Sequence, residues 1–148
     1  MRIADPFTKA AEALSAATSV ALACHVNPDA DALGSMLGLS NHLRAMGKET
    51  VCSFPNHPFE PPRWASLLPG TEALVPPSAF PEDPPVMVTC DVASLDRLAS
   101  LGGAAVRAKT LIWIDHHVTN EGRGTIPIID PAASSTCATS SVMPSRLS

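Results

Sequence analysis

Two short stretches of acidic and histidine residues, far apart in the sequence, have the residue types to do chemistry together. The first, residues 25–31, reads HVNPDAD, and the second, residues 115–117, reads Asp-His-His. Each follows an apolar run typical of a strand, and Asp91 ends a third such run at residues 86–90. Because imidazole and carboxylate groups are metal ligands, the pattern indicates a metal site where three strands end.

The first stretch supplies three candidate ligands, His25, Asp29 and Asp31. A turn after a strand can direct side chains at i, i+4 and i+6 toward one point, particularly when Pro28 restricts its backbone. One imidazole with several carboxylates suits Mn²⁺, Mg²⁺ or Fe²⁺ better than a metal that prefers thiolates. This stretch alone supports equally well the alternative that both aspartates only cap the helix that follows.

The second stretch and Asp91 shift the balance toward a metal site. Asp115, His116 and His117 end a buried strand, where such a triplet is hard to explain as core or as ordinary surface. Asp115 could orient a ligating imidazole by a hydrogen bond. These candidate ligands are more than one ion needs, and paired ions about 3.5–4 Å apart are the usual arrangement for hydrolysing phosphate esters.

The elements predicted around these residues alternate between strands and helices. This alternation predicts an α/β fold, a mostly parallel, Rossmann-like sheet with helices on both faces. Ligands of such sheets bind at the carboxyl ends of the strands, where His25, Asp91 and Asp115 fall. Helices are predicted over 6–18, 32–46 and 94–108, and strands over 20–25, 49–54, 86–90, 110–114 and 125–129. A proline-rich loop with one short helix at 63–68 is predicted over 55–85.

Composition narrows the functional classes. A chain of 148 residues fits one domain, and its net charge of −4, without a Lys/Arg block, argues against binding of long nucleic acid. Small phosphorylated substrates held by metal ions remain compatible with that charge. No apolar stretch reaches the roughly 18–20 residues of a membrane span, so no membrane partner is expected. The cysteines include no CxxC pair, which argues against structural zinc, and buried reduced thiols indicate a cytoplasmic location.

Three motifs in a fixed order carry a resemblance to a known family. HVNPDADALGS at 25–35, VTCD at 88–91 and IDHH at 114–117 resemble the DHH phosphoesterase family. This family includes RecJ-type exonucleases, family II inorganic pyrophosphatases and NrnA-type oligoribonuclease/pAp-phosphatases. The first motif and the DVASLDR sequence at 91–97 are most similar to the NrnA-type group. The resemblance implies a hydrolase acting on short RNA oligomers or on small nucleotide phosphates such as pAp, and a homodimer is compatible with it.

The resemblance also implies two Mn²⁺ ions bridged by Asp91, with Mg²⁺ as a compatible substitute. Apart from Asp91, one ion would be held by His25 and Asp29, and the other by Asp31 and His116. A hydroxide between the two metals would attack phosphorus in line.

Two further residues receive roles from the resemblance. His117 would face the substrate phosphate and stabilise its charge, and Asp115 would orient the pair of histidines. Arg97 could contact phosphate through its planar fork, although an exposed helical arginine is the commoner case.

The sequence departs from the family pattern after residue 133. Family members continue with a fourth metal-binding aspartate and then a second, DHHA1-type domain whose GGGH-like motif holds the substrate. This sequence has no Asp after Asp130 and no Gly after Gly124, and residues 134–148 contain six serines and two threonines. We therefore expect residues 1–133 to form a partial DHH domain, incomplete at its C-terminus, and residues 134–148 to be a non-native-looking tail. The second, substrate-binding domain is expected to be absent.

Three functions therefore stay open. The first is the metal-dependent phosphoesterase, and the second is an inorganic pyrophosphatase that shares its metal ligands. The third is an inactive fragment that binds metal weakly and turns nothing over. Mn²⁺-dependent hydrolysis of pAp and of a short RNA separates them.

Overall fold

A five-stranded parallel sheet forms the centre of the molecule, in a computed structural model that describes residues 5–115 and 125–129. The strand order is β2-β1-β3-β4-β5, and every neighbouring pair is parallel. The predicted α/β fold with a parallel sheet is confirmed. The strands are β1 (Ser19–Cys24), β2 (Glu49–Ser53), β3 (Val86–Cys90), β4 (Thr110–Asp115) and β5 (Ile126–Ile129).

Helical segments cover both faces of the sheet, as the sequence predicts. The helices are α1 (Pro6–Ala16), α2 (Ala30–Ala45) and α3 (Gly102–Arg107). On one face, α2 packs against β1, β2 and β3, and α1 packs against β5. Leu14 of α1, Leu37 of α2 and Leu22 of β1 belong to the buried cluster on this face. On the other face, Leu98 of the preceding 3₁₀ segment and Ala104 of α3 belong to a buried cluster that includes Trp113 of β4. Because both faces are covered, the strands are almost continuously apolar.

The helix predicted over 94–108 is two elements, a 3₁₀ helix at Leu95–Leu101 followed by α3. The break lies at Ala99, whose φ of 44° and ψ of −116° are incompatible with a continuous helix. Gly102 and Gly103, which begin α3, come three and four residues after Ala99, and glycine is among the weakest helix formers.

The proline-rich segment 55–85 contains three short 3₁₀ helices, Arg63–Leu67, Thr71–Ala73 and Pro77–Ala79. The first of these matches the short helix predicted at 63–68. The segment is fixed to the body of the protein, since the Val75 amide donates to the Cys52 carbonyl at 2.9 Å. The Arg44 guanidinium of α2 contacts the Glu72 carboxylate at 3.0 Å.

The strand register brings the candidate ligands to one edge of the sheet. Cys24 of β1 pairs with Cys90 of β3, and Cys90 pairs with Ile114 of β4. From β1 the chain proceeds to β2 on one side, whereas from β3 it proceeds to β4 on the other side. A topological switch point therefore lies between β1 and β3, and it is there that open α/β sheets bind their ligands. None of the helices in the described part of the chain is long and apolar enough to cross a bilayer.

Candidate metal centre

Two candidate ligands lie at the switch point because each directly follows a strand. His25 comes after β1 and Asp91 after β3, and the paired residues Cys24 and Cys90 place them side by side. Both are buried, with His25 9% and Asp91 4% exposed. A buried carboxylate needs a partner, because an isolated charge in a low-dielectric interior is costly.

Asp29 completes a cluster with these two residues. The Nε2 atom of His25 lies 3.4 Å from Oδ2 of Asp91 and 3.8 Å from Oδ1 of Asp29. One ligand atom from each of the three residues lies within 4.8 Å of the other two. One imidazole and two carboxylates form a donor set that fits a hard or intermediate divalent cation such as Mn²⁺ or Mg²⁺.

The His25 ring is oriented for metal binding by its other nitrogen. Nδ1 lies 2.7 Å from the Val26 carbonyl oxygen, which can only accept, so Nδ1 carries the proton. Nε2 is thereby directed at the two carboxylates, the arrangement in which a histidine binds a metal. Without a metal, the hydrogen bond that Asp91 accepts from the protonated ring raises the pKa of the His25 imidazole from 6.5, and this effect outweighs the burial that lowers the pKa.

Asp91 is held in place by its backbone and by its neighbour. Its φ of 62° lies in the left-handed region, which aspartate tolerates better than most residues. The Asp91 amide donates to the Ile114 carbonyl at 2.9 Å. The next residue, Val92, accepts a hydrogen bond from the indole Nε1 of the fully buried Trp113. Adjacent strand β4 therefore fixes the turn that carries Asp91.

Asp29 both caps α2 and belongs to the cluster. Its Oδ1 accepts from the Ala32 amide at 2.9 Å, which identifies it as the N-cap of the helix. The sequence supports helix capping and metal binding equally well for this residue, and the position of Asp29 is compatible with both. Capping fixes the carboxylate at the positive end of the helix dipole, where an anionic group is stabilised.

Of the remaining candidate residues, two lie in the described part of the chain and two lie outside it. Asp31 lies in the first turn of α2, half-buried and outside the group of three, so its role in holding a second ion stays a prediction. Asp115 ends β4, is completely buried, and follows the residue that pairs with Cys90. His116 and His117 lie outside the described residues.

Sequence reasoning missed the contacts that hold the loop between β1 and α2. The backbone N–H of Asn27 donates to Oδ1 of Asn56 at 2.8 Å, and Nδ2 of Asn56 donates to Oδ1 of Asn27 at 2.8 Å. The Val26 amide donates to the backbone carbonyl of Arg97 at 3.2 Å, while the Arg97 residue is exposed. A usable signal for Asn56 existed, since it lies three residues after β2 and therefore at the same edge of the sheet.

The fold and these motifs define the class of protein. The chain belongs to the DHH family, matching its N-terminal domain over residues 19–146. It is 35% identical over 136 residues to the bifunctional oligoribonuclease and PAP phosphatase NrnA of Thermus thermophilus. That match covers 92% of this chain and 38% of the relative.

Two solved structures share the fold. An exopolyphosphatase-related protein from Bacteroides fragilis superposes with a TM-score of 0.85 at 25% identity, covering 96% of this chain and 43% of the other. Exonuclease RecJ bound to manganese superposes with a TM-score of 0.62 at 16% identity, covering 99% of this chain and 38% of RecJ. The chain therefore spans less than half the length of each of these three relatives.

Proposed function

We propose that the chain is the metal-binding domain of a phosphoesterase that hydrolyses short oligoribonucleotides and small nucleotide phosphates such as pAp. The observation that carries the proposal is the cluster of His25, Asp29 and Asp91 at the switch point of a DHH-family sheet. The likeness to NrnA, an oligoribonuclease and PAP phosphatase, supports this substrate class.

The ligand arrangement that we propose uses two Mn²⁺ ions, with Mg²⁺ as a substitute. His25, Asp29 and Asp91 would hold one ion, and Asp31 and His116 would hold the second together with Asp91. Such ions, when bound, supply a nucleophile at neutral pH and neutralise charge on the phosphoryl group. Manganese in the structurally similar RecJ supports the choice of metal.

The protein's own groups do the positioning. The Val26 carbonyl fixes the ring of His25, and the N-terminus of α2 fixes Asp29 while favouring an anion nearby. His117 would contact the substrate phosphate, and Asp115 would orient the two histidines from its buried position at the end of β4.

We propose a cytoplasmic location and leave a homodimer open. Cys24, Cys52 and Cys90 are buried thiols in the described part of the chain, which supports a reducing compartment.

A second candidate function is metal binding without turnover. The three described ligands can hold a cation whether or not a substrate is turned over, and the match covers 38% of the NrnA relative, so the activity of that whole protein is a proposal for this chain. An inorganic pyrophosphatase remains a further alternative, since it would use the same ligands on a different phosphate.

Hydrolysis assays with the 148-residue chain test the proposal. Purified protein with Mn²⁺ is incubated with pAp, a short RNA oligomer and pyrophosphate, and the products are separated by chromatography. We expect release of phosphate from pAp and of mononucleotides from RNA. Turnover of pyrophosphate alone would identify the pyrophosphatase, and absence of turnover on all three would leave metal binding as the function of this chain.

The Asp91→Asn variant ties the activity to the cluster. Asparagine tolerates the positive φ at this position but removes the charge, so the fold is retained and turnover falls about 100-fold or more. Asp96→Asn is the matched control, because Asp96 lies five residues away and is exposed. Equal turnover of the two variants would contradict the assignment of Asp91.

A further inference from the structure

The loop between β1 and α2 carries two members of the cluster, His25 and Asp29. Its first residue is fixed by β1, and Asp29 is fixed as the N-cap of α2. Between them lie Val26, Asn27 and Pro28, which belong to neither element. The geometry of the cluster therefore depends on what holds this middle part.

Two other segments hold the middle of the loop from opposite sides. The Val26 amide binds the Arg97 carbonyl, which lies in the segment after β3. Asn27 binds Asn56, which lies in the segment after β2, on the other side of β1 in the sheet. Pro28 has no backbone N–H and cannot add a third such bond. Asn56 is thus the single side chain of the described residues that hydrogen-bonds the backbone of Asn27.

The contact between the two asparagines is a closed pair of hydrogen bonds. The amide of Asn56 both accepts from the backbone N–H of Asn27 and donates to its side-chain oxygen, each at 2.8 Å. Two parallel bonds fix orientation as well as distance, which a single bond does not. They also hold Asn27 at a φ of 53°, in the left-handed region where residues need support from their surroundings.

We propose that Asn56 is a positioning residue for the metal centre, acting through Asn27 to hold His25 and Asp29 at the separation that a divalent cation requires. This inference rests on the proposed function only in taking the cluster as a metal site. Asn56 itself is no ligand in it. Residues that orient metal ligands typically contribute 10–100-fold to metal affinity, which sets the size of the effect to measure.

The chain offers a matched control for a purely structural role. Asn41 is half-buried like Asn56, and its Nδ2 donates to the Pro69 carbonyl at 3.0 Å across 28 residues of sequence, compared with 29 for Asn56. Asn41 lies on α2, twelve residues beyond Asp29 and away from the loop. Asn41→Ala therefore removes a comparable long-range hydrogen bond without touching the cluster.

Mn²⁺ affinity is measured for the full 148-residue chain by electron paramagnetic resonance of free Mn²⁺. We expect Asn56→Ala to raise the dissociation constant about tenfold or more, and Asn41→Ala to leave it unchanged within twofold. Melting temperatures of the metal-free proteins are recorded alongside. Equal affinities for Asn56→Ala and the wild type would overturn the inference, as would equal losses in both variants.

A second substitution tests whether the two asparagines act as one unit. Asn27→Gly keeps the backbone donor and the positive φ but removes the side-chain acceptor, so it breaks one of the two hydrogen bonds. We expect a smaller loss of affinity than in Asn56→Ala, and no additional loss in the double variant. Additive losses would show that the residues act independently and would contradict the positioning role.

Amide hydrogen exchange of the metal-free protein separates this inference from the proposed function. We expect the Asn27 amide to be protected in the wild type and to exchange at least tenfold faster in Asn56→Ala, since its acceptor is removed. If the wild type binds no Mn²⁺, the metal-centre proposal fails, and the positioning of the loop is judged on this exchange alone. An Asn27 amide that exchanges equally fast in the wild type and in Asn56→Ala would overturn the positioning role of Asn56.

Discussion

At the scale of single residues, the contact between His25 and Asp91 makes the proposed metal centre sensitive to pH. The hydrogen bond that the Asp91 carboxylate accepts from His25 raises the pKa of the metal-free imidazole from 6.5. In the metal-free protein this contact stabilises the fold fully below pH 6.5, and the contribution is lost as the pH rises through the raised pKa. A metal competes with the same proton, so acid weakens its binding.

We therefore predict that Asp91→Asn lowers the pKa of His25 in the metal-free protein, because the charge that favours the imidazolium is removed. Two-dimensional NMR of the imidazole resonances against pH measures it. Asp96→Asn should leave the His25 titration where it is in the wild type. A His25 pKa that does not change in Asp91→Asn would mean that the two side chains are not in contact in solution.

The sequence predicts the role of a residue best when its side chain is a typical metal ligand, such as an imidazole or a carboxylate. His25, Asp29 and Asp91 were predicted to lie together because polar residues after apolar strands converge at one edge of a parallel sheet, and the structure brings them together. Asn56 was not found. Its position three residues after β2 indicates the correct edge of the sheet, but a neutral amide in a proline-rich loop does not indicate which residue it contacts. Its partner, Asn27, is 29 residues away in the sequence, and only the fold brings the two residues together.

At the scale of elements, strand β4 supports the turn after β3 through Trp113. Its indole donates to the Val92 carbonyl, and its ring is fully buried on the α3 face of the sheet. Burial of Trp113 follows from the apolar run in which it lies, but its hydrogen bond to the turn after β3 does not. The turn so fixed carries Asp91.

We predict that Trp113→Phe destabilises the protein by about 2–4 kcal/mol, through the lost hydrogen bond and the volume left unfilled. Urea unfolding followed by far-ultraviolet circular dichroism measures the free energy of unfolding. Trp64→Phe is the matched control, because Trp64 is 37% exposed and should lose no more than about 0.5 kcal/mol. Equal losses in both variants would contradict the role of the buried indole.

Element boundaries illustrate what periodicity can and cannot determine. The strands were predicted within about one residue, because short apolar runs bounded by polar residues leave little choice. The segment 94–108 was predicted as one helix, but the chain breaks at Ala99. Leu98 and Leu101 can be buried either by one continuous helix or by two short elements. The apolar pattern therefore does not distinguish one helix from two.

At the scale of the whole molecule, the order of the strands creates the site. Neither His25 nor Asp91 defines a metal centre alone; the switch point between β1 and β3 makes them neighbours across 66 positions of sequence. The alternation of strands and helices predicted a parallel sheet, and the three motifs predicted the family. The expected division into a partial domain at 1–133 and a tail at 134–148 lies partly outside the described residues and stays a prediction.

Binding of Mn²⁺ to the 148-residue chain, compared between the wild type, Asp91→Asn and Asp96→Asn, tests the central claim most directly. Titration followed by electron paramagnetic resonance gives the affinity of each protein, and circular dichroism shows that each is folded. We predict saturable binding by the wild type and by Asp96→Asn, and a dissociation constant raised at least about tenfold in Asp91→Asn. Absence of saturable binding by the folded wild type, or equal affinity in all three proteins, would contradict a metal centre built on His25, Asp29 and Asp91.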